Sequence, residues 1–213
     1  ENEVGKLKAK MARAGFRSEA APSLFLSLKF ALLIAGLFLG GGTVLIVAHL
    51  NGLPLLGHKN LFKCVFTAGV LFYLPELVLW WITKRRKEQI FLGLPDALDL
   101  MVVCVEAGLG LDQAMRRVSE EMQKSYPVIA TEYGLCNLHM QMGRSRAQVL
   151  QELGQRSGVD DLRALASILV QADKFGSSIA QALRVQSDSM RTRRRQIAEE
   201  KAAKTAVKLV FPL

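Results

Sequence analysis

Leu94 to Asp112 reads LPDALDLMVVCVEAGLGLD. Pro95 suits the first turn of a helix, where its missing N–H costs nothing, and Asp96 there complements the helix dipole. Ala97, Leu98, Met101, Val102 and Val105 then make a wide apolar face, with Asp99 and Glu106 off it. Gly108 and Gly110 break the helix. The same hinge recurs twice. Gly108-Leu-Gly-Leu-Asp-Gln-Ala-Met115 is matched by Gly143-Arg-Ser-Arg-Ala-Gln-Val-Leu150 and by Gly176-Ser-Ser-Ile-Ala-Gln-Ala-Leu183, 35 and then 33 residues further on. The first glycine of each copy suits a left-handed helix cap, and the Gly or Ser two places later suits the start of the next helix. Periods near 34 also occur in helical solenoids, but the aromatic and proline pattern of the TPR repeat is missing. Compact helical hairpins are therefore expected, with Pro95, Gly108, Gly110, Gly143 and Gly176 as structural hinge residues.

Downstream the pattern stays helical. After the Pro95 helix, Asp112–Lys124 resumes with Met115, Val118 and Met122 facing inward. Pro127 starts a third helix running to Met142, Ser145–Arg156 is a fourth, and Asp160–Lys174 a fifth. The sixth, from Ile179 to about Val207, is far longer and carries Arg184, Arg191, Arg193, Arg194 and Arg195. Residues 88–206 are thus expected to form a six-helix bundle whose last helix leads back to a membrane, with 207–213 starting a further, truncated span.

Upstream lie two apolar runs. Phe30–Ala48 has no charge in 19 residues, and Cys64–Ile82 has only Glu76 in another 19. Each covers roughly 28 Å as a helix, about the hydrocarbon thickness of a bilayer. The first begins too late and runs too long for a secretory signal core. The expected order is an amphipathic segment (1–22), a span (23–50), a short turn (51–60) and a second span (61–83). Gly36 and Gly40 have the GxxxG spacing that lets membrane helices approach, with span two or another subunit as the partner. The formal charge is +9, from 28 Lys and Arg against 19 Asp and Glu. Lys6, Lys8, Lys10, Arg13 and Arg17 precede the first span, and Lys84, Arg85, Arg86 and Lys87 follow the second, after Trp80-Trp81. The positive-inside rule places both flanks, and the helical region beyond, in the cytoplasm. This placement accounts for most of the basic excess without nucleic acid.

Catalytic chemistry is hard to find. No GxSxG, HExxH, P-loop or dinucleotide fingerprint occurs, and 51–60 imitates a phosphate loop without the Lys-Ser/Thr ending. Three histidines and three cysteines give no metal-ligand spacing; Cys136 and His139 supply at most two ligands. No metal, cofactor or enzyme activity is expected. Glu76 is the candidate intramembrane functional residue, since carboxylates at that depth mark function. Otherwise it reaches the headgroups or pairs with a nearby lysine. Lys84, Arg85, Arg86, Lys87, Arg191, Arg193, Arg194 and Arg195 form the candidate surface facing lipid or a partner.

Two long phrases carry a family resemblance: LPDALDLMVVCVEAGLGLDQAMRRV, and the run from Gly143 through Arg195 to Leu213. They resemble the type II secretion F-domain family, and within it the C-type platform proteins of the tight-adherence (Tad/Flp) pilus assembly system. The resemblance implies an all-α F domain in the cytoplasm, hung from a membrane hairpin in a bacterial inner membrane. It implies a scaffold coupling a cytoplasmic secretion ATPase to pilin extraction, working with a B-type sister platform protein; membrane lipids at the basic flanks and self-association are expected besides. Members usually carry a further span at each end. The rival expectations from the residues are a transporter or channel subunit using Glu76, and a membrane-tethered adaptor without a motor.

Overall fold

The structure is a computed structural model and describes residues 2–16, 18–51, 58–175 and 179–210. Among the described residues there are eight helices and no strand: α1 (Asn2–Ala14), α2 (Ala21–Asn51), α3 (His58–Glu106), α4 (Leu111–Glu121), α5 (Pro127–Gln141), α6 (Arg146–Ser157), α7 (Asp160–Phe175) and α8 (Ile179–Val210). The chain divides into two compact units, Glu1–Arg86 and Lys87–Leu213, and α3 passes from one into the other without a break. Gly176, the 52–57 part of the outer turn and 211–213 lie outside the described residues.

In the first unit, α1 ends on Gly15, whose φ of +100° is the left-handed conformation that glycine adopts without strain. Phe16 N–H bonds back to Met11 O at 3.0 Å and Gly15 N–H to Ala12 O at 3.1 Å, closing a Schellman cap. Met11, Ala14, Ala21 and Leu79 make a small core, flanked by Leu7, Phe25 and Ile82. Beyond it the helices turn apolar side chains outward: Leu26, Phe30, Phe38, Phe66, Tyr73 and Leu77 are all at least half exposed. Over their most apolar 18 residues, the mean hydropathy is 2.1 in Ala21–Gly42 of α2 and 1.7 in the Val65–Glu106 part of α3; both helices are long and apolar enough to cross a bilayer. A helix that is apolar all round yet exposed needs an apolar solvent. The backbones of α2 and α3 meet at Gly36, where an added Cβ would lie 2.8 Å from the Ala68 Cα. Gly40, one turn on, is buried as well.

The second unit is built on a stripe of α3. Ile90, Leu94, Ala97, Leu98 and Met101 recur at helical spacing and are fully buried. Met115 and Val118 from α4, Ile129 and Tyr133 from α5, Leu150 and Leu153 from α6, Leu162 and Leu169 from α7, and Leu183 and Met190 from α8 complete one core. Each such leucine contributes roughly 1.5–3 kcal/mol by leaving water. The chain does not restart at Pro95. That proline sits inside α3, because the apolar stripe runs through it from Ile90 to Met101 and packing holds the helix across the lost N–H.

The glycine hinges share one geometry. Gly108 has φ +91° and Gly143 φ +85°. Around the first, Leu109 N–H bonds to Cys104 O and Gly108 N–H to Val105 O, both at 3.0 Å. Around the second, Arg144 N–H bonds to His139 O at 3.2 Å and Gly143 N–H to Met140 O at 3.0 Å. These are the same cap that ends α1. Gly110 (φ −63°, ψ 155°) and Ser145 (φ −64°, ψ 139°) are the extended N-caps that follow, and Ser145 Oγ accepts from Gln148 N–H at 3.4 Å. A left-handed residue and an extended one, two apart, thus turn the chain from helix to helix twice. Gly158 (φ +63°) caps α6 in the left-handed region without belonging to the repeat.

Candidate functional surfaces

In the first unit Glu76 is held by two lysines. Lys10 Nζ, from α1, donates to Oε1 at 2.7 Å, and Lys29 Nζ, from α2, to Oε2 at 2.9 Å. Lys29 also lies 4.7 Å from the centre of the Phe72 ring. A carboxylate on an apolar helix is costly alone and tolerable when paired, so the three helices meet around it. The lysine pairing named as one alternative for Glu76 is present in the structure. Lys84 Nζ stands 5.0 Å over Trp80 and the Arg85 guanidinium 4.1 Å over Trp81, each one turn from its ring. The Arg86 side chain lies against Gly15 at the C-terminus of α1, where a cation meets the negative end of the dipole. Lys87 begins the second unit.

In the second unit the basic residues of α8 are largely committed. Arg184 pairs with Glu106 at 2.6 Å, and Arg191 with Asp99, whose other oxygen accepts from Ser187. Stepping back seven residues on α3 steps forward seven on α8, so α8 runs antiparallel to this part of α3. Arg193 pairs with Asp161 of α7. Arg195 pairs one turn along its own helix with Glu199 at 3.0 Å. Arg194 lies in an open cleft with Arg195, Asp96 and Pro95. Of the arginines assigned to a partner surface, Arg191 and Arg193 therefore bind within the domain, while Arg194 and Arg195 face outward.

A second cluster draws the hinges together. Arg146, the first residue of α6, forks onto Asp112 of α4 (Nε to Oδ1 2.9 Å, Nη2 to Oδ2 2.8 Å). Its remaining Nη1 donates to Asp173 near the end of α7. Asp112 follows the first hinge, Arg146 the second, and Asp173 precedes the third, so one guanidinium ties these segments at one end of the unit. The Arg146 fork was not singled out in the sequence, because nothing local marks it.

Two polar contacts fix α5. Glu132, only 1 % exposed, accepts from Arg156 Nε of α6 at 2.8 Å. Tyr126, which precedes Pro127, donates its hydroxyl to Asp96 at 2.7 Å, and its ring lies so close to Gly93 that an added Cβ would come within 2.7 Å. The bond to Asp96, with burial, raises the phenol above its ordinary range. Burial pushes the Cys136 thiol up to about 11, leaving it a poor nucleophile and ligand. Among the described residues no three metal-capable side chains come together.

Compared with known proteins, residues 97–213, more than half of the chain, match the family described as type II secretion system (T2SS), protein F. The match begins at the apolar face of α3 and covers α4 to α8. No curated protein and no solved structure matches the chain significantly.

Proposed function

The chain belongs to the type II secretion system protein F family, and from that membership, with its two bilayer-length helices, we propose that it is an inner-membrane platform of a type IV-like pilus or secretion machine. Within that class the reading is the C-type platform of a Tad pilus system. Its role is to couple a cytoplasmic ATPase to extraction of pilin from the bilayer, beside a B-type sister protein and as a scaffold rather than an enzyme. The single observation that carries this is the place of the family match: it falls on the helical unit that α3 continues into from its membrane-length part. A helix of 49 residues extends roughly 73 Å, so it is suited to pass a tilt or rotation between aqueous and lipid phases. The pairing of Glu76 with Lys10 and Lys29 supports a structural part for that carboxylate over an ion-handling one.

Arg194 and Arg195 are the residues to test, since reversing Arg191 or Arg193 would break bonds inside the domain. The R194E/R195E variant is expected to extract normally from membranes yet lose co-purification of the secretion ATPase and pilus assembly. Unchanged pull-down together with unchanged assembly would remove this surface from the account.

A further inference from the structure

Between α1, α2 and α3 of the first unit lies an elongated apolar groove of about 590 Å³. Met11, Phe16, Leu28, Leu32, Leu74 and Val78 line it, and Ser18 alone among its lining residues has a polar side chain. From Leu24 to Leu32 it follows α2 for about 12 Å, inward from the end of the hairpin that carries the basic residues. Its volume falls in the range of small-molecule sites, roughly 300–1,000 Å³.

The charged cluster sits on the flank of this groove. Lys10, Lys29 and Glu76 are each the chain neighbour of a lining residue, namely Met11, Leu28 and Pro75. Two ammonium groups face one carboxylate, which leaves one positive charge in excess. Each ammonium has three donors and spends one on Glu76. Arg13, three residues from Lys10 and so on the same side of α1, has its Nε–H buried without a partner.

We infer that the groove binds one anionic phospholipid, with an acyl chain between α1, α2 and α3 and the phosphate toward Lys10, Lys29 and Arg13. A neutral lipid fills the apolar part and leaves the excess charge uncompensated. An apolar helix from a partner protein does the same, having no anion to place there. The inference stands on the first unit alone and holds whether or not the protein serves a pilus.

The test uses the full chain, delipidated in detergent and given equal amounts of phosphatidylglycerol and phosphatidylcholine, with bound lipid counted by native mass spectrometry. One phosphatidylglycerol per protomer is expected to survive in preference to phosphatidylcholine. K10Q and K29Q should each weaken that retention about fivefold, as expected for one cation near an anionic headgroup. E76Q removes the competing carboxylate and should strengthen retention, a change in sign that a folding defect does not produce. Filling the groove with L28W/L74F should abolish retention in a protein of unchanged helicity. Equal retention of the two lipids, K10Q and E76Q shifting retention the same way, or full retention in the filled variant would each overturn the proposal. So would crosslinking of an L28C variant to a partner protein's helix in native membranes in place of lipid.

Discussion

Arg146 shows how much of the second unit depends on single side chains. Its fork joins Asp112 and Asp173, and so gathers chain segments that the sequence separates by 27 and 34 residues. The buried Glu132–Arg156 pair does the same for α5 and α6, with a harsher energetic consequence. Removing one partner leaves a buried charge, so E132A should lose about 3–5 kcal/mol of stability in denaturant melts, while E132L/R156L should lose far less. Tyr126 supplies a pH signature. Its folded-state pKa is raised, mainly by donation to Asp96. Its contribution is thus fully present below the unfolded value of about 10 and is lost as pH rises through the folded one. Melting temperature should fall more steeply in the wild type than in Y126F as pH rises above about 10. None of these pairs was visible in the sequence. Asp96 was read as a dipole-complementing residue at a helix start, and its real partner lies 30 residues away.

Helices and their caps were far easier to read, because both are local. Periodicity gave the inward faces of α3 and α4, and Met115, Val118 and Met122 are all buried. Positive φ at Gly108 and Gly143 follows from the repeated hinge, whose chemistry is written within three residues. Pro95 misled for a physical reason: a proline is favourable at a helix start, yet a well-packed stripe can carry a helix through one. In the sequence Asp99 and Glu106 were marked only as lying off the apolar face. They are the rungs that hold α8, and the only sequence trace is a spacing of seven shared with Arg184 and Arg191. Leu183, Ser187 and Met190 are the buried positions of α8 among the described residues, a narrow seam for so long a helix. D99N should therefore raise hydrogen exchange across α8 while α4 to α7 keep their protection. Equal loosening of every helix would show that Asp99 supports the whole core instead.

At the scale of the molecule, composition carried the class and the fold carried little of the function. Two uncharged or nearly uncharged runs became two helices long and apolar enough for a bilayer, with tryptophans and cations at the end of the second. The helical region beyond them became a unit with one core, which is the part that the secretion family describes. What the sequence could not show is how the charges are shared out. Much of the basic excess on α8 is neutralised inside the domain, leaving Arg194 and Arg195 as the outward-facing remainder of the cluster. The platform reading predicts that the machine stops when this protein is absent, with its other components intact. In-frame deletion of the gene in its own bacterium, followed by quantifying pilin in membrane and surface fractions, tests this most directly. Pilin should accumulate in the inner membrane, surface pili should disappear, and the wild-type chain supplied in trans should restore them. Normal surface pili and normal secretion in the deletion strain would contradict the account.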